Sequence, residues 1–262
     1  AVASYDSVET PPAGGAAIVA AAVNAFGRLD AWSVTPASSA VLRSRTFRTT
    51  TGRMLRVHLD GGFHLSQPAY RVMKAGEGGR FVFISSSAGV FFGQPMEAHY
   101  AAAKAGLIGL TNVIAIEGEA FGIRANSVLP TGFFSRMVTE TVGDEKFLAE
   151  SGFMRAIRPE LVVPLVVYLA STTCTFSHRM YSACAGRYAR AFIGLSEGWL
   201  ADADTEPSAD DIATHLDQIS ATEKFIVPNS IVDEVLEVCD RRGISAMPGG
   251  ADVEFPPEPQ RS

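Results

Sequence analysis

The sequence predicts an α/β protein in which a parallel β-sheet carries helices on both faces. Residues 80–84 (Arg-Phe-Val-Phe-Ile) are a continuous apolar run between glycines and serines, the pattern of a strand buried on both faces. Residues 98–120 are a long, Ala-rich helical segment. Strand-like and helix-like segments alternate elsewhere, and such alternation is satisfied by parallel strands joined through crossover helices.

Along the chain, residues 2–5 read as a short strand, followed by a polar turn at Asp6-Ser7. Pro11 and Pro12 suit the first turn of a helix, where a missing amide donor costs nothing. Residues 16–26 continue it with Ile18, Val19, Val23 and Phe26 on one side, and Gly27 ends it. Residues 29–34 are the next strand candidate and 35–39 a loop. Residues 54–73 have helical spacing, interrupted at Gly61-Gly62, and end in the turn Gly76-Glu77-Gly78-Gly79. Beyond the 98–120 helix, residues 124–129 read as a buried strand stopped by Pro130. Pro159 starts a helix over 160–170, and residues 180–185 read as a last strand. Residues 208–219 and 229–241 read as helices, with Ser208 and Asn229 as N-caps and Gly243 as a C-cap. Residues 248–262, rich in Pro and charge, read as a disordered tail. The expected division is a sheet domain over 1–205, a helical extension over 206–247 and that tail.

Of the 262 residues, 47% are hydrophobic and 19% charged, a globular balance with room for one sizeable core. The net charge of −6 and the absence of a basic stripe argue against nucleic acid as a partner. Cys174, Cys184 and Cys239 are odd in number and fit no zinc or disulfide framework, which predicts a reducing cytoplasm. No apolar run is long enough to span a bilayer. The first residues lack the charged region and apolar core of a signal peptide, and they open without Met in what reads as a strand, which points to a missing start.

Tyr100 and Lys104 lie four residues apart on the strongest helix and so share one face. A phenol loses its proton near pH ~10, and a neighbouring ammonium favours the phenolate. Such a pair can move a proton to or from a substrate oxygen; alone, it also fits a surface Tyr and Lys. Ser85-Ser86-Ser87-Ala88-Gly89 follows the 80–84 strand, and the carboxyl end of a parallel strand faces the crevice where such sheets bind ligands. One of these hydroxyls can hold a substrate oxygen beside Tyr100, while the others cap the strand. Asn126-Ser-Val-Leu-Pro130 sits at the next strand, again toward the crevice; by itself it is a strand stopped by proline.

In this order, the three segments resemble the signature of the short-chain dehydrogenase/reductase family. The resemblance covers residues 1–188. It points within the family to the (3R)-hydroxyacyl-CoA dehydrogenase unit of the type 2 multifunctional enzymes of peroxisomes. Supporting stretches include Ala25-Phe-Gly-Arg-Leu-Asp30, Arg56-Val-His-Leu-Asp60 and Arg158-Pro-Glu-Leu-Val-Val-Pro164. The resemblance implies a Rossmann-like doubly wound sheet, NAD or NADP as cofactor, and a hydroxyacyl-CoA or other secondary alcohol or ketone as substrate. It implies Tyr100 as general acid/base, Lys104 lowering its pKa and holding the nicotinamide ribose, and Ser86 binding the substrate oxygen. Ser86 precedes Tyr100 by fourteen residues, one more than is usual in the family, so Ser87 also fits. His58 aligns with the family's proton-relay asparagine, or is a buried helix residue with a satisfied ring. Asp6 matches an adenine-contacting aspartate, with Ser7 beside it, and Pro130, Thr131, Gly132 and Phe133 match the segment over the nicotinamide.

Two departures accompany the match. The family's opening strand–Gly-rich turn–helix–strand is absent, and with it the turn that brings backbone amides to a pyrophosphate. Residues 32–40 (Trp-Ser-Val-Thr-Pro-Ala-Ser-Ser-Ala) replace the family's Asn-Asn-Ala-Gly, an abrupt change between matching flanks that fits a compensated frameshift. The strand at 29–34 then becomes an exposed apolar edge, which predicts marginal stability or association into a homo-oligomer. The main expectation is an NAD(P)-dependent oxidoreductase with impaired cofactor binding; the alternative is a catalytically impaired fragment or pseudoenzyme. No Gly-x-Ser-x-Gly elbow surrounds Ser86, which argues against a serine hydrolase.

Overall fold

The computed structural model describes residues 2–4, 6–7, 12–34, 51–88, 92–93, 97–131, 146 and 150–246. Residues 2–4 do not form the expected strand. Ser4 Oγ donates to the Asp6 carboxylate at 2.6 Å and accepts from the Asp6 amide at 3.3 Å. These local bonds compete with strand pairing.

Helix α1 (Ala13–Phe26) follows Pro12 and ends at Gly27, whose φ of 77° turns its amide back to the Val23 carbonyl. Gly14 and Gly15 open the helix because nothing larger fits. A Cβ on Gly14 would lie 2.0 Å from the Ser7 carbonyl oxygen, and one on Gly15 would lie 2.4 Å from that of His64. Strand β1 (Ala31–Val34) follows. It contains the first residues of the altered segment, and Trp32 Nε1 is buried there with no hydrogen-bond partner among the described residues.

Helix α2 (Thr51–Leu55), a π-helical turn (Arg56–Asp60) and α3 (Gly61–Ala75) run on without a break. The expected interruption at Gly61-Gly62 does not occur. Gly62 serves packing instead: a Cβ there would lie 2.6 Å from Leu107 Cδ2, so α3 can close on α4 (Ala98–Gly118). Strand β2 (Gly79–Ile84) precedes α4, and β3 (Ile123–Pro130) follows it. The remaining elements of this part are α5 (Gly152–Ala156), α6 (Val163–Ala170), β4 (Arg179–Cys184) and β5 (Arg187–Ala191). The helix expected over 160–170 divides into a 3₁₀ turn (Pro159–Leu161) and α6.

The sheet order is β1-β2-β3-β4-β5. The first four strands are parallel and β5 is antiparallel to β4. Strand β5 escapes sequence patterning because Arg187-Tyr-Ala-Arg-Ala191 is polar on an exposed edge. Its turn, Ala185-Gly186, has φ values of 49° and 87°, both positive as a two-residue hairpin of matching twist requires. Side chains alternate across the sheet. Phe81 and Phe83 pack on one face with Val34, Leu65, Leu107 and Ile123. Val82, Ile84 and Val128 pack on the other with Leu169 of α6 and Cys174. Helices therefore cover both faces, the doubly wound α/β arrangement. β1 is the outer strand; among the described residues, none pairs with its other edge.

The chain divides into two units, Ala1–Ala191 and Phe192–Ser262. In the second, β6 (Leu195–Ser196) pairs antiparallel with β7 (Phe225–Ile226). Ser208 caps α7 (Ala209–Thr214) in a reciprocal capping box with Asp211. Helix α8 (Leu216–Ile219) follows. Ser230, rather than the expected Asn229, caps α9 (Ile231–Arg242): its Oγ accepts from the Val232 amide at 3.2 Å, while the Asn229 amide donates to the Asp233 carboxylate at 2.6 Å. The tail reading for 248–262 falls outside the described residues.

Candidate active site

The carboxyl ends of β2 and β3 and the first turns of α4 bring the polar side chains together. Each of the three serines after β2 has its own task. Ser85 Oγ donates to the Lys104 carbonyl at 2.8 Å, which fastens the strand end to α4. Ser87 Oγ donates to the Leu129 carbonyl at 3.1 Å and accepts from Thr131 Oγ1 at 3.3 Å, which fastens it to β3. Ser86 is the serine whose side chain acts on Tyr100, favouring its phenolate. Of these two serines, Ser87 is the one whose hydroxyl is committed to β3.

Lys104 is buried, and its Nζ donates to the Ile84 carbonyl at 2.9 Å. The ammonium lies 5.7 Å from the Tyr100 ring centroid. Desolvation pushes the Lys104 pKa down to about 8. Tyr100 moves upward: burial disfavours the phenolate, the Ser86 side chain opposes that, and the charge of Glu97 adds to the rise. This balance is opposite to the one expected from Lys104 alone, because enclosing the phenol outweighs the help it receives. Glu97 was not legible as a site residue, although its i, i+3 spacing to Tyr100 was available. Its own carboxyl is also raised by burial.

His58 sits in the π-helical turn, buried, its ring edge-on to Tyr100 with centroids 5.7 Å apart. Burial, then the Lys104 charge, lowers its pKa to about 4, so the ring is neutral at ordinary pH. A π turn offsets the helix by one residue and recurs at functional sites.

Asn126 does not reach the crevice. It lies inside β3, fully buried, with Nδ2 donating to the Phe176 carbonyl at 3.1 Å and Oδ1 accepting from the Arg179 amide at 3.2 Å. It ties β3 to the loop before β4. Pro130 ends β3 in the sheet, and the exposed Thr131 follows with its amide on the Ala183 carbonyl. Asp6 and Ser7 are exposed on the amino-terminal segment. Gly132 and Phe133 lie outside the described residues. Among the described residues, no His, Cys, Asp or Glu cluster could hold a metal ion, and no helix is long and apolar enough to cross a membrane.

A dinucleotide can be tested against these groups. Lys104 is a buried cation with donors to spare beyond Ile84, beside a phenol and a serine, a donor set that fits the hydroxyls of a nicotinamide ribose. For the pyrophosphate, the described residues supply no glycine-rich turn at a helix start facing this crevice.

A family model described as short chain dehydrogenase matches residues 9–146. The chain is 38% identical over 192 residues to peroxisomal multifunctional enzyme type 2 of Mus musculus, covering 71% of this chain and 24% of that one. It therefore spans about a quarter of the mouse enzyme's length. It is 32% identical to a short-chain type dehydrogenase/reductase of Mycobacterium tuberculosis, covering 84% of this chain and 73% of that one. Among solved structures, it resembles full-length peroxisomal multifunctional enzyme type 2 from Drosophila melanogaster, with a TM-score of 0.66 and 25% identity over 92% of this chain and 41% of that one. Sheet order, the Ser86–Tyr100–Lys104 cluster and these matches agree: the chain belongs to the short-chain dehydrogenase/reductase family.

Proposed function

We propose that this chain interconverts a secondary alcohol and a ketone with NAD or NADP, on a hydroxyacyl-CoA-type substrate of fatty-acid metabolism. The observation that carries the reading is that the Tyr100 ring lies 5.7 Å from the buried Lys104 ammonium and edge-on to His58, at the strand end where the Ser85–Ser87 loop begins. Ser86 would hold the substrate oxygen, and the Tyr100 hydroxyl would give it a proton in reduction or take one in oxidation. Lys104 would favour the phenolate as it forms and hold the nicotinamide ribose, while neutral His58 would pass protons behind it. Thr131, with Pro130, would lie along the nicotinamide. A bound nicotinamide would supply or accept the hydride. The CoA class is supported by the sequence stretches shared with the multifunctional enzymes. The three free thiols suit a reducing compartment, cytoplasmic or, as the relatives' names state of them, peroxisomal. The edge of β1, which no strand among the described residues pairs, supports a homo-oligomer.

The test is a fluorescence titration of the purified chain with NADH and NADPH, followed by assay with a 3-hydroxyacyl-CoA. Saturable binding of one nucleotide and turnover that Tyr100→Phe abolishes are expected. A folded chain that binds neither would overturn the proposal.

A further inference from the structure

We infer that the amino end of the sheet is a second, anion-binding site, where Arg80, Arg124 and Arg179 on three adjacent strands converge to take a phosphate group. Arg80 and Arg124 are partners in register between β2 and β3, and Arg179 stands opposite Asn126 between β3 and β4. Phe81, Ile123 and Ala125, neighbours of Arg80 and Arg124, pack on the α1–α3 face, and Met180, the neighbour of Arg179, packs with Leu129 and with Ile108 of α4. By alternation, the three arginines project toward the other face, where Cys174 lies. Arg80 Nε donates to the Cys174 carbonyl at 3.1 Å, and its Nη1 donates to the carbonyls of Gly79 and Gly122. The Arg179 guanidinium stacks 4.6 Å from the Phe176 ring centroid. All three charges are felt at the Cys174 thiol.

Among the described residues, no carboxylate pairs with any of the three. Neighbouring strands lie about 4.8 Å apart, so like charges are held close at a cost. An oxyanion removes that cost, and guanidinium forks match phosphate oxygens two at a time. Arg80 itself is held by three carbonyls, so its position is set before any ligand arrives. The site stands at the opposite end of β2 from Ser86. At about 3.3 Å per residue, this separates it from Tyr100 by well over the length of a phosphate contact.

The experiment is a thermal-shift titration of the full chain with inorganic phosphate, and in parallel with AMP, against sodium chloride at matched ionic strength. A saturable rise in Tm of roughly 2–4 °C with phosphate is expected, and its loss in Arg124→Gln. Arg71→Gln, an exposed arginine on α3, should keep the rise. An equal rise with AMP assigns the site to phosphate esters as well, and a rise with inorganic phosphate alone assigns it to the free ion. The same rise in chloride, or an undiminished rise in Arg124→Gln, overturns the inference. Should Arg124→Gln fail to fold, Arg179→Gln makes the same comparison.

Discussion

The Lys104 ammonium donates to the Ile84 carbonyl at 2.9 Å, so the lysine one turn beyond Tyr100 is pinned to the last residue of β2. That bond fixes the cation but does not make it comfortable. With the folded pKa lowered from 10.5 to about 8, the charged form carries a penalty of about 3 kcal/mol. The penalty is full below pH 8 and is relieved as pH rises from about 8 to 10.5, because over that window the unfolded chain binds the extra proton. Lys104→Met should therefore raise Tm at pH 7 while lowering kcat/KM by a factor on the order of 10²–10⁴. Calorimetry beside an initial-rate assay checks this; a Met variant that is both less stable and still active refutes it.

The serines should separate cleanly. Ser86→Ala should lower kcat/KM by a factor on the order of 10² or more with little change in stability. Ser87→Ala should keep most of the activity but cost about 1 kcal/mol, since it loses the bond to the Leu129 carbonyl. Denaturant midpoints and rates measured on both variants decide the matter. Equal loss of activity in both would mean that the loop acts as one unit.

His58 makes the fold sensitive to acid. Its folded pKa of about 4 lies below its ordinary 6.5, so the folded state resists the proton that the unfolded chain accepts. Stability should fall as pH drops from 6.5 to about 4, by about 3 kcal/mol from this group. His58→Asn should flatten that part of the Tm–pH curve and retain activity within several-fold, whereas His58→Leu should lose it. An unchanged acid limb in His58→Asn would assign the effect elsewhere.

Gly15 tests the packing of α1 on α3. An Ala is worth up to about 1 kcal/mol in an exposed helix interior. Here its Cβ would sit 2.4 Å from the His64 carbonyl oxygen, and overpacking of that kind costs about 1–3 kcal/mol. Gly15→Ala should therefore lower Tm despite the better propensity, whereas Gly109→Ala, with open space around it, should raise it.

The core of the sheet was legible because β2 and β3 are buried on both faces and read as unbroken apolar runs. Tyr100, Lys104 and the serine loop were legible because helical spacing and strand-end position carry their geometry. Strand β5 was not, because an edge strand of alternating Arg, Tyr and Ala leaves no apolar signature. Asn126 looked like a crevice residue from its place before Pro130, but β3 is longer than its apolar run and carries the side chain into the interior. The direction of the Tyr100 shift depends on how completely α4 and its surroundings enclose the phenol, and no spacing rule conveys that. Gly62 reads as a breaker in one dimension and as a contact in three.

The π-helical turn at Arg56–Asp60 has a consequence for how this site can change over generations. It holds one residue more than an α-helical path would need, and each residue is worth about 100° of rotation. Deleting one of the five would restore an ordinary helix with Met54 and α3 still facing the core, so the change would fall on the turn itself and re-aim the side chain it presents to Tyr100. The position of His58 against Tyr100 is thus tied to the phase of the helix, so a single lost codon would disturb it more than most substitutions.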